Sequence, residues 1–137
     1  MNQEERNLIM NKYILDSSAL LALFNLETGS DKVEELLPLS IMSTVNIAEV
    51  VAELDKKLNI SFIQSKEMIS ASINKIVALD FDQAIEIGRL KKETEQFGLS
   101  LGDRACISLG LITGYPIYTA DKIWAKLQLN CKIVLIR

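Results

Sequence analysis

"YILDSSALLALF", residues 13–24, decides how the rest of the chain is read. Three residues of strand character run into Asp16, and helix-forming residues follow directly. An aspartate there is either the cap of a helix, accepting backbone N–H bonds, or a carboxylate held at the end of a strand for chemistry. One aspartate leaves both readings open.

Outward from that stretch, strand and helix patterns alternate. Residues 12–15 read as a short buried strand and 17–26 as a helix broken near "ETGS". "SDKVEELL" is a short helix capped by Ser30, and 39–43 is a second strand. Residues 44–59 form a strong helix whose core stripe is Ile47, Val50, Val51, Leu54 and Leu58. Ser61 caps a further helix running to about 74, and 75–79 is a third strand. A long helix over 81–97 ends at Gly98, and another runs from Ser100 to Thr113 and Gly114. Residues 116–120 make a fourth strand with Pro116 at its first position, where strands tolerate proline. "DKIWAKLQ" is a short helix and "CKIVLIR" a fifth strand. Short apolar strands alternating with helices predict an α/β fold, a three-layer α/β/α sandwich with a parallel sheet covered on both faces.

The chain's 137 residues suit one domain over 12–137. Residues 1–11 read as an N-terminal extension, with Met10 an alternative start to Met1. No apolar run reaches the roughly 20 residues that cross a bilayer, and the polar N-terminus lacks the pattern of a signal peptide. A cytoplasmic protein is expected. Cys106 and Cys131, with no histidine anywhere, exclude a common zinc site and read as buried thiols in a reducing compartment. A net charge of −3 argues against nonspecific nucleic-acid binding, though not against a local site where metal ions offset acids.

Three more acids bear on Asp16. In open α/β sheets, functional groups gather outside the carboxyl ends of the strands. Asp16 ends the first strand, and Asp121 follows the fourth almost at once. Asp103 lies in the first turn of the helix begun by Ser100, and Glu49 lies inside the 44–59 helix. Taken singly, Asp16 and Asp121 fit helix caps, and Asp103 with Ser100 fits a capping box. Glu49 fits neither: one turn away it has no cation, and Glu53 at i+4 repels it. Ordinary surface acids look different, since Glu86 has Arg89 at i+3 and Glu95 has Lys91 at i−4. Four carboxylates without helical partners at one sheet end repel each other unless something positive sits among them. Hard oxygen ligands suit Mg²⁺ or Mn²⁺.

"YILDSSALLALF", "STVNIAEVVAEL", "GLSLGDRACISLG" and "PIYTADKIWAKL", in that order, resemble the four motifs of PIN-domain ribonucleases, and more closely those of VapC-type toxins of bacterial toxin–antitoxin modules. The resemblance implies a five-stranded parallel sheet in order 3-2-1-4-5 and a metal site made by Asp16, Glu49, Asp103 and Asp121. It implies endonucleolytic cleavage of RNA by metal-activated water, leaving a 5′-phosphate and a 3′-hydroxyl. Mg²⁺ is the implied cofactor, with Mn²⁺ an alternative, and the implied partners are RNA, a homodimer mate and a cognate antitoxin laid in a groove near the acids. Thr119, Asn46 and Ser17 are candidate supports of the site. Arg104 and Lys122, each directly after one of the acids, are candidate RNA-phosphate contacts; as lone charges they also fit plain solvation. Arg89, Lys91 and Lys92 read as a solvated face. Trp124 and Tyr115 have the rings to stack on bases, but Trp124, beside Ile123 and Leu127, reads as core.

Two rivals stand beside this. An aspartyl-nucleophile phosphatase needs a second acid two residues after the first, where this chain has Ser18. A non-catalytic PIN-like module that binds a partner or regulates DNA needs none of the four acids.

Overall fold

A computed structural model describes residues 12–137; the N-terminal extension expected over 1–11 lies outside them. The strands are β1 (Tyr13–Leu15), β2 (Ser40–Ser43), β3 (Lys75–Val77), β4 (Ile117–Thr119) and β5 (Ile133–Leu135). All pairings are parallel and the order is 3-2-1-4-5. The helices are α1 (Ser17–Phe24), α2 (Ser30–Leu36), α3 (Thr44–Leu58), α4 (Phe62–Ser72), α5 (Phe81–Thr94) and α6 (Leu101–Thr113). Short 3₁₀ turns cover Leu37–Leu39, Glu95–Phe97 and Lys122–Lys126. Among the described residues, no helix is long and apolar enough to cross a membrane.

Successive strand residues face opposite sides of the sheet, and here they divide the core in two. Leu15 and Met42 join Leu20, Val50, Leu54 and Ile136 on one face. Ile14, Ile41 and Ile117 join Leu90, Ile107, Leu109 and Trp124 on the other. The three-layer reading therefore holds. β1 is central, between β2 and β4, so the chain's direction of sheet growth reverses at its carboxyl end.

The departures from expectation are local. α1 stops at Phe24 because Leu26 takes a left-handed backbone (φ +54°) and stands 83% exposed. The 81–97 helix tightens into a 3₁₀ turn after Thr94 before Gly98 ends it at φ +68°. Leu58, expected in the core stripe of α3, is 46% exposed, whereas Asn46 of the same helix is buried with Val50 and Leu54. β3 is one of the two edge strands and is covered incompletely: Lys75 and Ile76 are exposed. "DKIWAKLQ" forms a 3₁₀ turn rather than an α-helix. Cys106 is buried and Cys131 half-buried, and both are free thiols.

Trp124 is fully buried in the second core cluster, as its neighbours predicted, with its indole N–H unpaired. Trp124→Ala is expected to destabilise the fold by about 3–5 kcal/mol. Trp124→Phe, which removes the unpaired donor, should cost far less. Urea titrations followed by circular dichroism check both, and near-equal losses would remove Trp124 from the core.

Candidate metal centre

Each of the four acids is delivered by a separate element. Asp16 follows β1 and caps α1, its Oδ1 accepting the Ala19 N–H at 2.9 Å. Glu49 projects from α3. Asp103 closes a capping box with Ser100 at the start of α6: its Oδ2 accepts the Ser100 N–H, and the Ser100 hydroxyl accepts the Asp103 N–H. Asp121 caps the 3₁₀ turn after β4, its Oδ1 accepting the Ile123 N–H at 3.1 Å. The three cap readings are thus all correct, and the carboxylates still converge. Asp16, Glu49, Asp103 and Asp121 line one cleft of about 420 Å³ together with Glu53, and among the described residues no Lys or Arg lines it.

A carboxylate has two oxygens, which is how one residue meets both demands. For Glu49, Asp103 and Asp121, hydrogen bonds among the described residues take up one oxygen and leave Glu49 Oε2, Asp103 Oδ1 and Asp121 Oδ2 unpaired. Glu49 Oε1 accepts from Ser17 Oγ at 2.6 Å and from Asn46 Nδ2 at 2.8 Å. Asn46, expected to orient the acid of α3, and Ser17, a candidate support of the site, both touch it.

Asp16 is held differently. Only 4% exposed, it accepts from Ser18 Oγ at 2.8 Å and from the hydroxyl of Thr119. Those hydroxyls in turn accept backbone N–H bonds from the turn after β4, Ser18 from Ala120 at 2.9 Å and Thr119 from Asp121 at 3.0 Å. The chain of donors runs from that turn to the carboxylate and ties the ends of β1 and β4 together. Desolvation dominates and pushes Asp16 up to about 6, against the lowering effect of its bonds with Thr119, Ala19 and Ser18. Burial also raises Asp103, where the Ser100 bonds oppose and the charges of Glu49 and Asp121 add.

The flanking cations diverge. Lys122 is exposed at the start of the 3₁₀ turn beside Asp121. Arg104 turns away, donating from Nη1 to the Ile87 carbonyl of α5 at 2.8 Å. That bond ties α6 to α5 and leaves this guanidinium directed at protein. Arg89 pairs with Glu86 and Glu93 on an exposed helix face. Tyr115 packs partly buried against the second core cluster.

Three contributors were not singled out in the sequence. Ser18, which in the sequence only argues against a phosphatase, bonds Asp16 directly. Glu53, read as a like charge repelling Glu49, lines the cleft and is paired to Lys57 at 3.1 Å. Gly102 has no side chain to read, and its effect is purely spatial: a Cβ there would lie 2.3 Å from Glu49 Oε2.

A PIN-domain family model matches residues 13–129. The chain belongs to the PIN-domain family. This PIN domain is similar in fold to the DNA-bound VapBC structure from Salmonella typhimurium, with 14% identity over 93% of this chain and 99% of that one at a TM-score of 0.70. A toxin–antitoxin complex from Klebsiella pneumoniae matches at 18% identity, 92% and 98% coverage and TM-score 0.70. VapC20 of Mycobacterium tuberculosis, described as a sarcin–ricin-loop-cleaving toxin, matches at 12% identity, 88% and 99% coverage and TM-score 0.72. Identities this low speak to the fold alone. No curated protein sequence matches the chain.

The donor set fits a hard divalent cation. Among the described residues, no group of three or more acidic or thiol side chains stands close enough together to hold a metal ion as the side chains lie, so the fit is one of donor chemistry. Mg²⁺ keeps several of its waters and takes only one or two carboxylates directly, so an open rim of unpaired oxygens suits it where a closed all-protein cage would not. Without an ion, the raised Asp16 sets a pH dependence. The folded chain holds its proton up to about pH 6 and the unfolded chain only to 3.8, so folded stability falls as pH rises through that window. The loss is on the order of 3 kcal/mol. Asp16→Asn is expected to flatten that slope and to leave the metal-free chain more stable than the native one at pH 7. Thermal melts from pH 4 to 8 in EDTA measure both, and a strongly destabilised variant would make capping the residue's main role.

Proposed function

We propose that this PIN domain is a divalent-metal-dependent endoribonuclease and acts as the toxin of a toxin–antitoxin pair. One observation carries the reading: carboxylates from four distant stretches line a single cleft with no cation among them in the described residues. Scattered caps would need no such convergence. The family membership and the VapBC and VapC folds that resemble the chain support the same class.

Asp16 and Asp103 are the most direct ligands, with Glu49 and Asp121 completing the site through the ion or its waters. Bound Mg²⁺ or Mn²⁺ would polarise the scissile phosphate and lower the pKa of the attacking water. The protein's own part is positional. Ser18 and Thr119 fix the Asp16 carboxylate through both its oxygens, while Ser17 and Asn46 fix Glu49 and the two caps fix Asp103 and Asp121, each of these three keeping one oxygen unpaired. Lys122, exposed beside Asp121, is the better placed of the two cations to meet an RNA phosphate. With no histidine in the chain, paired-imidazole acid–base catalysis has no residues to use.

The partner readings have their own supports. A second cleft of about 210 Å³ adjoins the acidic one, sharing Ser18, Leu21 and Glu53 and continuing past Leu54 and Leu58 to Lys57 and Arg137. An amphipathic antitoxin segment fits that groove, with a basic side chain reaching the acids. Exposed Phe62, Ile63, Ile76, Phe81 and Ile85 supply apolar surface for a homodimer.

Purified protein incubated with mixed RNA should produce 5′-phosphate ends with Mg²⁺ and none with EDTA. Asp16→Asn should lower the cleavage rate by at least about a hundredfold, the scale of losing a key electrostatic group. Cleavage that survives EDTA or the substitution removes the metal-nuclease reading. An acyl-phosphate on Asp16 would favour a phosphatase, and a wild type with neither cleavage nor Mg²⁺ affinity a binding module.

A further inference from the structure

Glu49 is the only one of the four acids that caps nothing. A glutamate on the surface of a helix has three rotatable bonds, and no backbone N–H fixes its carboxylate. Its position is set by the Ser17 hydroxyl at 2.6 Å, by Asn46 of its own helix, and by the space above Gly102. Asn46, one turn earlier on α3 and 1% exposed, donates from Nδ2 to Glu49 Oε1 at 2.8 Å and to the Gly102 carbonyl of α6 at 3.0 Å. The amide thereby bridges the acid and the first turn of the opposite helix. Its Oδ1 is buried without a partner. The reversed amide would point that oxygen at a carboxylate and a carbonyl, so the unpaired oxygen is the cost of the bridge.

Gly102 provides the space. A Cβ at this position would meet Glu49 Oε2 at 2.3 Å, Cδ at 2.5 Å and Oε1 at 2.6 Å, closer than real Cβ contacts come. All three carboxylate atoms lie over the bare Cα. Nothing in the backbone demands a glycine: Gly102 lies in the first turn of α6 and is not among the positive-φ residues. Alanine is the better helix former, so local helix stability argues against the residue that is present.

We propose that Gly102 and Asn46 form a seat for the Glu49 carboxylate, making both positioning residues that hold the acid of α3 against the first turn of α6 and fix its free oxygen in the cleft. The meaning for catalysis rests on the metal-nuclease reading; the seat itself does not. Any side chain at 102 moves the acid, because the far end of Glu49 yields more readily than α6 does.

The seat is testable without RNA. In the metal-free chain, Gly102→Ala is expected to melt no lower than the native protein while shifting the Asn46 side-chain amide resonances in a ¹⁵N spectrum. Mn²⁺ affinity, measured by calorimetry, should fall about tenfold, in the range seen when a residue orienting a metal ligand is lost. In a Glu49→Asp background, where the carboxylate is one methylene shorter and withdrawn from the Cβ, the same substitution should cost less than about threefold, a non-additivity that marks direct contact. Asn46→Ala, a second route to the same release, should lower Mn²⁺ affinity comparably. Unmoved Asn46 resonances with unchanged Mn²⁺ affinity in Gly102→Ala overturn the proposal, as does an equal loss in both backgrounds. A chain that shows the expected coupling and cuts no RNA overturns the nuclease reading and leaves the seat standing.

Discussion

The Asp16 carboxylate, buried at the carboxyl end of the central strand, is the constraint on which the site depends. A charge with 4% exposure is expensive to hold in a folded chain, and the structure surrounds it with donors: the Ala19 amide, the Ser18 hydroxyl and the Thr119 hydroxyl. The two hydroxyls each have one proton to give, and both give it to the ionised Asp16, which can only accept, while each accepts a backbone N–H from the turn after β4. That direction is forced by the inventory of donors and acceptors. It also couples the site to the sheet, since the β1 and β4 ends must stay in register for the bonds to form. Desolvation still wins, which is why Asp16 titrates near 6 rather than in the ordinary carboxylate range.

Capping and ligation are usually weighed as alternatives for an aspartate at a helix start. Here the cap is what aims the carboxylate. A cap bond fixes one oxygen at a known place relative to the helix axis, and the geometry of the carboxylate then fixes the other. Asp103 and Asp121 both use this device. At α1 and α6 it has a second effect, because a helix N-terminus carries partial positive charge and favours an adjacent carboxylate by about 0.3–1 kcal/mol. Part of the repulsion among the acids is therefore offset by the secondary structure that carries them.

The sequence made the fold legible because its strands are short and apolar and its helices begin and end on recognisable residues, such as Ser61, Ser100 and Gly114, each in its expected role. Burial at the margins was less legible. Leu58 fits the apolar stripe of α3 by spacing, but it sits in the last turn, beyond the reach of the core. Ile76 reads as a core strand residue, but only topology shows that its strand is at the edge. The four acids could be picked out because none has a cation on its own helix face. Arg104 shows the limit of that argument: sequence adjacency to Asp103 suggested a shared direction, whereas neighbouring residues on a helix point about 100° apart, and the guanidinium reaches α5 instead. Gly102 marks a different limit. Its contribution is an absence of atoms, visible only once α3 and α6 are side by side.

The cleft that results carries more negative charge than the chain itself balances. Glu53 has Lys57, but Asp16, Glu49, Asp103 and Asp121 have hydrogen bonds and no ion pair among the described residues. Hydrogen bonds orient a carboxylate without neutralising it, so the mutual repulsion remains in the folded state and is absent from the unfolded one, where the four are far apart. Whatever positive group enters the cleft binds the folded chain and not the unfolded, and stabilises it by mass action. A divalent cation and a basic side chain from a protein partner would compete for the same unpaired oxygens. Under the proposed function, the electrostatics that would suit the cleft to a metal would equally suit it to a cationic residue of a partner.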